Sequence, residues 1–111
     1  MADEYVVVLT TLPADGDTNG FGGTLVDERL AACVNILPPM KSIYRWMDGV
    51  EEETEHQLVI KTTRAQVPAL WDRVRALHPY DVPEFLVLPV VDGNDAYLRW
   101  IQESTGEGDR T

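Results

Sequence analysis

The chain has 111 residues, with 19 acidic against 9 basic side chains for a formal net charge of −10, and 44 % of it is hydrophobic. That length fits one domain, and the apolar content is that of a globular chain able to bury a modest core. The charge disfavours nucleic acid and anionic membrane surfaces as partners, since both require clustered Lys and Arg.

In chain order, Tyr5-Val-Val-Val-Leu9 is a continuous, mostly β-branched apolar run, the pattern of a strand buried on both faces. Pro13–Gly23, with Gly16, Gly20, Gly22 and Gly23, has the composition of a loop. Four glycines at about 1 kcal/mol each should weaken, shorten or replace any helix there. A short helix follows, with Thr24 as its cap and Leu25, Val26, Leu30 and Cys33 at near-helical spacing. Val34–Leu37 returns to strand character, Pro38-Pro39 interrupts it at an edge or bulge, and Ser42–Met47 continues it. Asp48-Gly49 is a hairpin signal, and Gln57–Thr63 is the return strand.

Val67, Leu70, Trp71, Val74 and Leu77 mark an amphipathic helix that tolerates Pro68 in its first turn and stops before Pro79. Phe85–Val91 is a further strand. Asn94 or Asp95 caps a terminal helix carrying Tyr97, Leu98, Trp100 and Ile101. Residues 1–103 therefore read as one domain, and residues 104–111 as a polar, disordered tail. The order β-α-β-β-α-β plus a terminal helix is the split βαβ pattern of an α+β, ferredoxin-like sandwich. Tyr44 and Trp46 share one face of the hairpin and are candidates for a subunit interface.

Chemistry-bearing patterns are sparse. There is no phosphate loop, no Cys-x-x-Cys and no His-Glu-x-x-His. His56 and His78 are the only histidines. The glycine-rich first loop is acidic and lacks the arginine an acylphosphatase would need, so no catalytic residues are expected and the protein is read as a binder, not an enzyme. Cys33 and His78 are the soft-ligand candidates for copper or zinc, against a buried thiol and a helix-end imidazole. Glu51–Glu55 reads as a solvated hairpin tip rather than a hard-cation loop. Cys33 is the one cysteine, Met1–Glu4 is acidic, Tyr5–Leu9 is too short for a leader, and no apolar run nears the roughly 20 residues of a membrane span. A reducing cytoplasm is the expected compartment. Of the nine basic residues only Lys41 and Lys61 are lysines, and an acidic, lysine-poor surface suits a salt-rich cytosol.

Several runs, in order and spacing, resemble the CutA divalent-cation tolerance family. They are Glu28-Arg-Leu-Ala-Ala-Cys-Val-Asn35, Ser42-Ile-Tyr-Arg-Trp46, Ile60-Lys-Thr-Thr63, His78-Pro-Tyr80 with Pro83-Glu84, Leu88-Pro-Val90, and Tyr97-Leu98 with Trp100-Ile101. The resemblance implies a tight homotrimer, similar in architecture to the PII signalling proteins, with clefts between subunits and a link to copper tolerance. It places Lys61, Tyr80 and Asn35, together with Glu84, near such a cleft. A small anionic metabolite and a protein partner, as in a PII-like regulator, are the alternative occupants. Relatives' proposed copper ligands fall here on Thr10, Leu77 and His78, of which only His78 can ligate a soft metal. The metal set expected from the sequence is therefore His78 with Cys33 and Glu84, binding weakly.

Overall fold

The computed structural model describes residues 4–106. Its elements are β1 (Tyr5–Pro13), α1 (Thr18–Asp27), β2 (Cys33–Ile36), β3 (Met40–Trp46), β4 (Gly49–Thr63), α2 (Val67–Leu77), β5 (Leu86–Pro89) and α3 (Asp95–Ser104), with a single 3-10 turn before α2. The strands form one antiparallel sheet in the order β2-β4-β1-β5, with β3 continuing along β4 beyond β2. The α+β, ferredoxin-like expectation holds.

Register assigns the two faces of the sheet. Val6, Val8, Thr10 and Leu12 stand opposite Thr62, Ile60, Leu58 and His56, and directly paired residues project to the same side. This face packs under α1 and α2, where Val6, Val8, Leu12, Phe21, Leu25, Leu58, Ile60, Leu70 and Val74 form the core. The opposite face carries Val7, Leu9, Val59, Lys61, Leu86 and Leu88. Helix α3 covers only part of it: Lys61 Nζ lies 6.0 Å from the Tyr97 ring centroid, while Leu86, Leu88, Tyr97 and Trp100 stay exposed. At ~3.3 Å per residue, the fifteen residues of β4 match the molecule's longest dimension, 49 Å. Its outer half, paired only with β3, is therefore an arm projecting from the body.

The proline pair behaves as expected. Ile36 pairs with Leu58 and Met40 with Glu55, so four steps on one side oppose three on β4, a one-residue bulge where prolines cannot donate. Other expectations need correction. The strand β1 runs on to Pro13, and the glycine-rich stretch is helical from Thr18. The cap is not Thr24 but Asp17, whose carboxylate accepts from the Gly20 backbone N–H at 2.9 Å. Glycine is admitted in α1 by close packing: a Cβ at Gly22 would stand 3.3 Å from Val34 Cγ1, and one at Gly20 would collide with the Asp17 carboxylate. The turn falls one residue before the Asp48-Gly49 signal. Trp46 pairs with Gly49, so Met47 and Asp48 make the turn, with Met47 at φ 54°. Glu51–Glu55 is consequently strand, not hairpin tip.

The α1 terminus explains why residues 104–106 are not part of a loose tail. Leu30 N–H bonds Leu25 O and Arg29 N–H bonds Val26 O, which is the Schellman closure with Arg29 at φ 63°, where glycine is usual. Arg29 gains from the position. Its guanidinium donates to Glu103 O at 2.7 Å and Gly106 O at 2.8 Å, and Gly106 N–H returns a bond to Arg29 O. Thr105 is buried beside them. The boundary expected at residue 104 falls inside this clamp; residues 107–111 lie outside the described residues. Among the described residues no helix is long and apolar enough to cross a membrane.

Candidate functional site

The arm and the loop after α2 enclose a cleft of about 570 Å³ on the face of the sheet away from α1 and α2. Alternation along the arm builds one wall: Met40, Ser42, Tyr44 and Trp46 of β3 share a face with Glu55, Glu53, Glu51 and Gly49 of β4. Thr11, Glu55 and Gln57 form the floor, and Tyr80, Asp81, Val82 and Glu84 close the other side.

Polar contacts fix this loop against the sheet. His78, buried at the end of α2, donates from Nε2 to Thr11 O at 2.6 Å, and its Nδ1 accepts the Tyr80 backbone N–H at 3.1 Å. The acceptor on one side and the donor on the other select the Nε2–H tautomer. Tyr80 OH then donates to Glu55 Oε2 at 2.9 Å, and burial, followed by that bond and the Glu55 charge, pushes the phenol well above its ordinary range. Gln57 Nε2 bridges Thr10 O at 2.8 Å and Glu84 Oε2 at 2.9 Å. Across the arm, desolvation and the charges of Glu53, Glu51 and Glu55 also raise Tyr44. The cleft lining contains three carboxylates, Glu55, Asp81 and Glu84, and no Lys, Arg or His.

Within one chain, the expected metal set is not assembled. Both ring nitrogens of His78 are engaged by backbone, and its ring stands edge-on to Phe21 on the helix side. Cys33 is half-buried and pairs with Lys61, on the opposite face of the sheet. Glu84 lies in the cleft, bonded to Gln57. Among the described residues no group of three His, Cys, Asp or Glu side chains is placed to hold a metal ion. Of the residues expected near a cleft, Tyr80 and Glu84 line it, as do Tyr44 and Trp46. Lys61 does not: it sits mid-strand between Val7 and Cys33 with its ammonium over Tyr97. Asn35 is exposed on β2 opposite Val59. Glu55, Gln57 and Thr11, which form the floor of the cleft, were not among the site residues expected from the sequence. The signal for two of them was present, since Glu51, Glu53, Glu55 and Gln57 alternate in phase with Tyr44 and Trp46 once β4 is extended back to Gly49.

Residues 6–104 match the family model of the CutA1 divalent ion tolerance protein. The chain belongs to the CutA family. It is 51 % identical over 100 residues to the divalent-cation tolerance protein CutA of Thermus thermophilus, covering 90 % of this chain and 97 % of that one. It is 44 % identical to the human protein CutA over 86 % of its length, but spans only 53 % of that longer chain. Among solved structures, the Thermus thermophilus CutA1 superimposes with a TM-score of 0.89 at 50 % identity, covering 92 % of this chain and 99 % of that chain. The CutA1 of a psychrotrophic Shewanella reaches 0.91 at 33 % identity, over 96 % and 100 % of the two chains.

Proposed function

We propose that this CutA-family chain is a cytoplasmic homotrimer that binds divalent cations where the acidic cleft of one subunit meets its neighbour. The observation that carries the reading is the cleft lining: Glu55, Asp81 and Glu84 with no basic side chain. Such a surface attracts cations and repels a small anionic metabolite, which weighs against the PII-like alternative. Trimerisation is supported by the apolar residues left uncovered on the outer sheet face and on the arm, including Leu86, Leu88, Tyr44, Trp46 and Trp100. Copper is a poor fit to oxygen ligands, which suit harder ions, and His78 ligates through Nδ1 only by surrendering the bond from the Tyr80 backbone N–H.

Competition titration of Cu(II), Zn(II) and Mg(II) against a chromogenic chelator, with sedimentation at sub-micromolar concentration, tests this. The expected result is a trimer that binds divalent ions at micromolar affinity or weaker. Glu55→Gln with Glu84→Gln lowers the affinity at least tenfold, and His78→Ala changes it less than threefold. A folded monomer, or nanomolar copper affinity lost with His78, overturns the reading.

A further inference from the structure

Arg29 closes α1 at a left-handed φ of 63°, a conformation that glycine takes freely and a side chain adopts only at a steric cost. Strain of this kind persists where the surrounding structure makes use of it. Here the use lies at the other end of the chain. Arg29 Nε donates to Gly106 O at 2.8 Å and Nη2 to Glu103 O at 2.7 Å. One edge of the planar guanidinium thus spans two carbonyls, which a single ammonium group cannot do. Little else fastens α3. Of its ten residues only Ile101 is buried, none belongs to the apolar cluster centred on β1, α1, β4 and α2, and Lys61 Nζ approaches the Tyr97 ring centroid only to 6.0 Å. An element with so few buried apolar contacts opens at a lower free energy than the core.

We propose that the Arg29 guanidinium is the latch of a strap. Its two bonds to residues 103–106 hold α3 down on the outer face of the sheet, and breaking them frees α3 as a unit while the core stays folded. Leu86 and Leu88 lie on that same face, so the latch also sets the surface that a second copy of the chain would meet. That consequence rests on the proposed trimer, whereas the latch itself does not.

The test is hydrogen–deuterium exchange on the intact, assembled protein and three variants. Arg29→Gly suits the backbone and removes the guanidinium. Amides of residues 96–106 should then exchange at least tenfold faster, with those of β1 and the inner half of β4 within twofold of the parent. Arg29→Lys keeps the charge but cannot span two carbonyls, and the same segment should still exchange at least threefold faster. Arg73→Gln breaks the ion pair between α1 and α2 at the preceding residue, Glu28, and should leave residues 96–106 unchanged. Unchanged exchange of that segment in Arg29→Gly overturns the proposal, since a neighbouring subunit or the remaining contacts would then be holding α3. Uniform acceleration along the whole chain overturns it as well, because the two bonds would belong to the global fold. So does full protection in Arg29→Lys, which would mean that charge alone suffices, or equal acceleration by Arg73→Gln, which would mean a general loosening of the α1 terminus.

Discussion

Thr10 stands on the core face of β1 with no exposed surface, and among the described residues its Oγ1 has no hydrogen-bond partner. A buried hydroxyl left unsatisfied costs about 1–3 kcal/mol, and valine fills nearly the same shape without it. Thr10→Val is therefore expected to raise stability by about 1 kcal/mol, read as a higher urea midpoint with an unchanged slope; a fall in the midpoint would show that the hydroxyl is satisfied in solution. Tyr80 behaves oppositely, because its hydroxyl holds the loop to the sheet. Its folded-state pKa lies above the unfolded value of about 10, so the stability it confers is complete below pH 10 and is lost as pH rises towards the folded value. Unfolding measured between pH 8 and 11 should show a decline above pH 10 that is smaller in Tyr80→Phe, and that variant should cost about 1–2 kcal/mol at pH 8. Parallel curves for the two proteins would remove Tyr80 as the cause.

Among the elements, α1 shows where pattern reading stops. β1, the inner half of β4 and α2 were legible because their apolar residues form a continuous run or repeat at regular spacing, as Val67, Leu70, Trp71 and Val74 do. In α1 the buried positions are Phe21, Gly22 and Leu25, and one of the three has no side chain to register as apolar. Composition then favoured a loop, while the Asp17 cap and the approach of Gly22 to Val34 decided for a helix. The same reasoning separates two glycines one residue apart. A Cβ at Gly23 meets nothing within 4 Å, so Gly23→Ala should stabilise by about 0.5–1 kcal/mol through helix propensity. At Gly22 the added carbon presses on Val34, itself packed against the core, and overpacking of about 1–3 kcal/mol outweighs that gain. Thermal melts of both variants should move in opposite directions; a stabilised Gly22→Ala would mean that Val34 yields freely. The cleft was half legible for a related reason. Tyr80, Glu84, Tyr44 and Trp46 stand out by residue type, whereas Glu55 becomes visible only once the acidic run is placed in the strand and its alternation assigned to one face.

For the whole molecule, charge is the term that the fold does not cancel. The chain carries −10, so the proposed trimer carries about −30, three copies of that charge, and its self-repulsion opposes assembly. The arm concentrates it: Glu51 and Glu53 share a face with Glu55, and all of Glu51–Thr54 is exposed. Among the described residues, the ion pairs Lys41–Glu52, Arg73–Glu28 and Arg75–Asp72 lie on exposed or half-exposed side chains, and each contributes only about 0–1 kcal/mol, too little to offset repulsion spread over the surface. Molar salt shortens the screening length to about 3 Å, which removes repulsion between exposed carboxylates while leaving the apolar core in place. The melting temperature should therefore be several degrees higher in 2 M KCl than in 20 mM buffer. Molar salt also strengthens apolar burial to the extent that it is excluded from the protein surface, so the increment alone does not identify its cause. Glu51→Gln with Glu53→Gln does. If repulsion along the arm dominates, the double variant melts higher than the parent in dilute buffer and gains less from KCl. If it melts at the parent temperature and gains equally, the salt effect belongs to apolar burial, and the acidic, lysine-poor composition is no adaptation of this fold to a salt-rich cytosol.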